Sequence, residues 1–314
     1  MKKISVLAVA YLCLLAQSCD KKKNISADPP LATYSSVAEV FESQRVQHKT
    51  LKIDAGTHSY FYGNSGTRYA IYANSLVTAD GLLVTGQVDV EVSEWLERGD
   101  MIFSKMLPVS NGNPLISGGE LNIRITQNGQ PLQLKDGAQF SAYVPQKGAA
   151  DTAMDLYWGT PVQNNAQNGV DWKVALADSS NIEKNAVFVH GEDTIAIFSD
   201  SLTMCNIDRI LPSAKRVSVN LSTAINGAQA DGNTVFFIYA LYTNYNALLP
   251  VASDNLNNYA RLLPDVPVTL VAFTVFGGKF YGGTLSATPA SGKNYTITLN
   301  ATDPTAFKKL LNGL

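Results

Sequence analysis

The stretch NSLVTADGLLVTGQVDVEVSEWL, residues 74–96, sets the architecture. In its second half Val88, Val90 and Val92 occupy every other position, with Gln87, Asp89, Glu91 and Ser93 between them. Successive side chains of an extended chain point to opposite faces, so the pattern predicts a strand with one buried face and one wet face. Upstream, Asp80-Gly81 separates Leu76-Val77 from residues 82–84. An Asp-Gly pair takes the positive φ angles of a tight two-residue turn at little cost, which predicts a hairpin joining those two runs.

The same grammar continues outward. Leu121, Ile123 and Ile125 alternate with Asn122, Arg124 and Thr126, and Asn128-Gly129 turns the chain into residues 131–134. Runs at 51–53, 60–62, 69–72 and 140–144 are β-branched or aromatic and are broken by Gly56, by Gly63-Asn64-Ser65-Gly66 and by Pro145. Roughly seven strands in about a hundred residues predict a β-sandwich over residues 51–158. The small, polar stretch 148–155 reads as a boundary. Further strand runs at 170–176, 186–190, 194–198, 217–221, 234–242, 268–276, 279–284 and 295–299 predict a second, Ig-like sandwich over 159–314. Val37, Val40, Phe41 and Val46 have the spacing of a short helix within 36–47. Asp303-Pro304 supplies an N-cap and a first-turn proline for a last helix that carries Phe307, Leu310, Leu311 and Leu314 on one face. That helix is expected to pack on the second sandwich. The predicted fold class is all-β, with two tandem β-sandwich domains, a short N-terminal helix and a C-terminal helix.

The N-terminus is of a different kind. Lys2 and Lys3 precede an apolar run of about a dozen residues, where a membrane-spanning helix needs roughly 20. Residues 1–18 therefore read as a cleaved export signal, and Cys19 follows directly. Residues 20–30 are polar, contain Lys21, Lys22 and Lys23, and end in Pro29-Pro30, so residues 19–50 read as a tether leading into the short helix. Removing the signal leaves 22 basic residues (24 less Lys2 and Lys3) against 26 acidic, a balance that argues against nucleic-acid binding.

Few residues suggest reaction chemistry. Of three cysteines, Cys13 leaves with the signal and Cys19 begins the tether, which leaves Cys205 as the one cysteine of the strand-rich body. His48, His58 and His190 are scattered, without the spacing of a zinc site, and no metal or other cofactor is expected. Cys205 reads as a buried small apolar group more readily than as a nucleophile. Glu91, Glu94 and Glu97 form the densest acidic cluster, but Glu91 and Glu94 point to opposite faces of one strand, so a solvated strand face is the expected reading. Asp208-Arg209 is expected to join an ion pair that fixes a loop. Among the aromatics, Tyr239 and Tyr242 fit a core, whereas Tyr245 beside Asn244 and Asn246 suits a ligand contact. Trp158 and Trp172 bracket a Gly- and Asn-rich loop, and each either caps the core or stacks on a glycan.

Three resemblances add to this. The junction Ala16-Gln17-Ser18-Cys19 resembles a bacterial lipoprotein signal, with Leu15 one place further out than usual. That implies acylation of Cys19 and attachment to membrane lipid through it. Gly66-Thr67, Asp80-Gly81, Val88 to Glu94, Asp100-Met101-Ile102, Ser110-Asn111-Gly112 and Leu115 to Gly119 recur in this order in a module of exported Bacteroidetes proteins of unknown function. The module is similar in turn to the β-sandwich of ankyrins, netrin receptors and zonula occludens proteins, which acts as a scaffold. The resemblance covers residues 51–158, with a weaker echo at 205–209 and 278–281. Finally, Asp151-Thr152-Ala153, Asp193-Thr194-Ile195 and Asp200-Ser201-Leu202 resemble the O-glycosylation acceptor pattern of that phylum, against about one match expected by chance. They make Thr152, Thr194 and Ser201 candidate acceptors.

The expectation is a lipid-anchored outer-membrane protein without a catalytic centre, which binds a protein or glycan partner or serves as a structural module. The lysines behind Cys19 favour the periplasmic face over the cell surface. The alternative expectation is a carbohydrate-directed enzyme or an accessory glycan-binding lipoprotein.

Overall fold

The computed structural model describes residues 31–162, 168–175, 185–211, 215–253 and 258–314. The alternating stretches behave as their patterns require. In β5 (Gln87–Trp95) Val88, Val90 and Val92 are buried, and in β7 (Asn113–Gln127) so are Leu121, Ile123 and Ile125. These two strands pair antiparallel at the heart of a first sheet, ordered β1 (Lys49–Asp54), β5, β7, β15 (Met204–Ile210), β11 (Asp155–Pro161), β12 (Val170–Val174). Two short strands, β6 (Val109–Ser110) and β8 (Gln130–Pro131), attach to β7. The turn from β7 into β8 is Asn128-Gly129, with φ of 51° and 79°, the positive angles a tight hairpin demands.

A second, five-stranded sheet runs β13 (Ala186–Val189), β14 (Thr194–Ser199), β10 (Phe140–Pro145), β3 (Arg68–Ile71), β2 (Ser59–Tyr62), antiparallel throughout. Its inner face lies on the first sheet, as in a β-sandwich. A Cβ built on Gly118 of β7 would approach Ile195 to 3.3 Å, one on Gly119 would approach Val144 to 3.5 Å, and the Tyr69 hydroxyl reaches Glu94 of β5.

The third sheet follows the path β18 (Ala247–Pro250), β17 (Phe237–Tyr242), β21 (Val268–Phe276), β22 (Lys279–Ala287), β23 (Asn294–Ala301), β16 (Val217–Ile225), β20 (Asn258–Leu262), β19 (Ala252–Ser253). β16 and β23 are parallel. Three short helices pack against it. In α1 (Val37–Gln44) the Ser36 side chain accepts the Glu39 N–H, and in α3 (Pro304–Asn312) Asp303 accepts the Ala306 N–H at 2.9 Å, the cap read from the sequence. α2 (Arg98–Ser104) was not expected. Its apolar residues, Met101-Ile102-Phe103, are too short a run to show a helical period, and only tertiary burial of all three supports the turn.

Phe273 of β21 gathers these elements. Its ring lies 5.7 Å from Phe41 (α1), 5.3 Å from Phe103 (α2), 6.2 Å from Phe307 (α3), 5.7 Å from Phe237 (β17) and 5.8 Å from Phe280 (β22). Arg98 of α2 donates to the carbonyls of Tyr242 and Tyr245, and Ser117 N–H donates to Asn246 O. Residues 32–314 accordingly form one compact unit.

The fold is all-β with short helices, and two expectations need correction. The hairpin at Asp80-Gly81 forms and joins 76–77 to 82–84, but only Gly81 has a positive φ, 83°, so the turn is not the two-residue one expected, and the run 76–77 becomes β4 (Leu76–Val77), which pairs on its other side with β9 (Gln133–Leu134). Across the turn Val84 N–H donates to Leu76 O and Thr78 N–H to Leu82 O, both at 2.9 Å, around a bridge between Val77 and Leu83. This arrangement buries Leu76 and Val84 while Leu82 and Leu83 stay in solvent. The division at residues 158 and 159 also fails, because it falls inside β11, and β12 to β15 complete the first two sheets. The sheets divide between 211 and 217 instead. Alternation reveals a buried face but not the partner strand. The small, polar stretch 148–155 is a loop clipped to the β13–β14 turn, where Ala150 N–H donates to Glu192 O and Gln146 N–H to Asp193 O.

Candidate binding face

The second sheet has one face on the core and one in water, and the water face is aromatic. In β2 the inward residue Phe61 stacks on Tyr69 at 5.3 Å, while Tyr60 and Tyr62 point out with 62% and 58% of their surface exposed. Register sets two rows across the sheet. One reads Tyr62, Arg68, Tyr143, Ala196, Phe188, and the next reads Tyr60, Ala70, Ser141, Phe198, Ala186. Five strands about 4.8 Å apart make this face about 19 Å wide.

The outward rings interlock. His58 stacks on Tyr60 at 4.6 Å and also meets Tyr72, while His190 meets Tyr143 edge-on at 5.2 Å. Phe188 and Phe198 touch edge-to-face at 6.0 Å. The Arg68 guanidinium lies 4.3 Å over the Tyr143 ring and 5.9 Å from Tyr60. At one end the face deepens into a groove of about 510 Å³ lined by Tyr72, Asn74, Ser75, Gln139, Phe188 and Phe198. Rings there stand beside amides and a hydroxyl, so one wall can stack on an apolar C–H surface while another hydrogen-bonds. Within the strands, Arg68 is the one charged side chain on this face among the described residues.

The residues singled out from sequence are placed elsewhere. Trp172 is fully buried, and its indole N–H donates to Leu107 O at 2.9 Å, so it is a core residue. Trp158 is half-buried, with its indole nitrogen enclosed. Tyr245 packs partly buried against the core, and its carbonyl accepts from Arg98. Tyr239 and Tyr242 are in the core, as expected. Thr152 is exposed in a turn, whereas Thr194 and Ser201 are half-buried. Cys19 lies outside the described residues. Cys205 is a buried free thiol whose pKa burial raises to about 12, which suits packing rather than nucleophilic attack. Arg209 pairs with Asp151 at 2.5 Å and pins the loop after β10.

One carboxylate of the acidic cluster departs from the solvated reading. Glu94 is buried and accepts Ser65 N–H at 2.5 Å and the Tyr69 hydroxyl. A Cβ on Gly63 would sit 2.2 Å from that carboxylate, so any larger residue there displaces the Glu94 side chain from its hydrogen bonds. Glu91 alone of the pair is solvated, beside Arg124 at 3.2 Å.

Sequence reasoning also missed Glu120 and the burial of Asp208, whose neighbour Arg209 makes the expected ion pair with Asp151 instead. Register sets Trp95, Glu120, Asn206 and Tyr157 in one row across β5, β7, β15 and β11, with Asp208 two residues beyond Asn206. Both carboxyls have 0% exposure. Asn206 donates to Asp208 at 2.5 Å, but neither Glu120 oxygen has a hydrogen-bond partner among the described residues. Burial first, and then the neighbouring Asp208 charge, pushes Glu120 far above the usual carboxyl range. Burial does the same to Asp208, partly offset by the Ser117 hydroxyl. These acids are walled off from solvent, whereas the aromatic face is open to a ligand.

Among the described residues no helix is long and apolar enough to cross a membrane, and no cluster of three or more His, Cys, Asp or Glu side chains could hold a metal ion. No protein-family model matches the chain, and no curated protein matches it either.

Proposed function

We propose that this chain is a lipid-anchored envelope protein that binds a glycan on the outer face of its five-stranded sheet. The observation that carries the reading is the continuous aromatic surface from Tyr60 and Tyr62 to Phe188 and Phe198. An apolar, ring-covered sheet face left in water is a binding surface by default. Flat rings next to Asn74, Ser75 and Gln139 suit a pyranose, whose ring faces are C–H rich and whose rim carries hydroxyls. The anchor reading rests on the basic, apolar and small-residue run ending at Cys19, and the periplasm-facing placement rests on Lys21 to Lys23. No step of catalysis is assigned.

A glycan array probed with the purified full-length protein tests the binding reading. Wild type binds a subset of polysaccharides, and Tyr60→Ala/Tyr62→Ala weakens binding by about tenfold or more, since about 1.4 kcal/mol corresponds to a factor of ten. Both rings are largely in solvent, so the variant keeps its fold. Binding that is indifferent to this double substitution refutes the assignment of the face. Mass spectrometry of the mature N-terminus tests acylation, and protease shaving of intact cells tests sidedness.

A further inference from the structure

Resting on the glycan reading above, we infer that the ligand is an anionic polysaccharide, and that Arg68 is the residue that takes its carboxylate or sulfate. The other well-placed arginines are already occupied. Arg98 is held by the Tyr242 and Tyr245 carbonyls, Arg124 by Glu91 and Arg209 by Asp151. Arg68 differs. Its guanidinium lies over Tyr143 and near Tyr60, but no described carboxylate is within ion-pair distance and no described acceptor takes its N–H groups.

The rings hold the cation in place without satisfying its hydrogen-bonding edge. Ring contact fixes the guanidinium plane and reduces the side-chain entropy lost on binding. The planar fork then matches an oxyanion bidentately. Arg68 sits one strand in from the sheet edge, between Tyr62 and Tyr143 in register. A sugar stacked on Tyr60 or Tyr62 therefore brings its acidic substituent within reach. His58 and His190 flank the same rings and add no negative charge. A neutral glycan would leave this cation unused, and an acidic protein segment would supply no stacking pyranose for the groove.

The test is affinity electrophoresis of the full-length protein in gels containing polygalacturonate, its carboxyl-reduced neutral counterpart, or a sulfated galactan. Wild type is expected to be retarded at least about tenfold more strongly by one of the charged polymers than by the neutral one, with the retardation falling as salt rises. Arg68→Gln is expected to abolish that preference while keeping weak retardation by the neutral polymer. Tyr60→Ala/Tyr62→Ala is expected to lose both. Equal retardation by charged and neutral polymers, or an Arg68→Gln variant that keeps the preference, overturns the anionic assignment and leaves glycan binding standing. No retardation of wild type in any polysaccharide gel overturns both readings, and capture of an acidic protein in place of glycan does the same. Circular dichroism of each variant confirms that the sheet is retained.

Discussion

Glutamine at position 120 should make this protein more stable near neutral pH, and more so the higher the pH. Glu120 and Asp208 are both fully enclosed, with no cation beside them among the described residues, and both are held protonated well above the usual carboxyl range. In the unfolded chain they titrate near about 4.3 and 3.9. Above those values the unfolded state has released protons that the native state still holds, so stability falls as pH rises. The loss continues until the pH passes the raised native values. Each carboxyl contributes about 1.4 kcal/mol of loss per pH unit in that window, or about 2.7 kcal/mol between about pH 5 and pH 7. That is large against the roughly 5–15 kcal/mol that holds a domain folded. Glu120→Gln removes one such dependence but leaves an enclosed amide, at a cost of about 1–3 kcal/mol. The variant is therefore expected to be less stable than wild type at about pH 5 and to equal or exceed it at about pH 7. Urea denaturation across this range checks it, with Asp208→Asn and the double variant completing a cycle that measures the coupling of the pair. A wild-type stability flat or rising with pH, or a Glu120→Gln deficit of the same size throughout, would refute the reasoning.

Three further outcomes follow from the packing. Phe273→Ala removes the ring that meets all three helices and should cost about 3–5 kcal/mol. All three tryptophans lie in the first sheet (Trp95, Trp158 and Trp172), so if residues 32–314 unfold as one unit their fluorescence midpoint must fall together with the far-ultraviolet signal. A tryptophan transition left unmoved would mean that the third sheet melts alone. Asp303→Ala deletes the α3 cap and should cost about 1 kcal/mol, read as a lowered urea midpoint with unchanged slope. Cys205 should resist iodoacetamide in the native protein at neutral pH and react on unfolding, because its thiol is enclosed and its pKa is raised to about 12. Labelling of native protein at the rate of a free thiol would contradict that burial.

What the sequence determined by itself is local. Val88-Val90-Val92 and Leu121-Ile123-Ile125 state which face of each strand is buried, Asn128-Gly129 states where the chain reverses, and Asp303-Pro304 states where the last helix starts. Each of these follows from neighbours a few residues apart. The tertiary structure decided the pairing, and with it everything that depends on which strands lie side by side. β15 joins β7 across some eighty residues of chain, which carries the sheets past the expected boundary at 158 and sets Asp208 near Glu120. Tyr60-Phe61-Tyr62 put rings on both faces of one strand, a visible sign that its outer face is unusual. Only the register to β3, β10, β14 and β13 gathers those rings with Arg68, Tyr143 and Phe188 into a single surface. Side-chain alternation is a property of one strand, whereas a binding face is a property of five, and no periodicity within a strand encodes its partners.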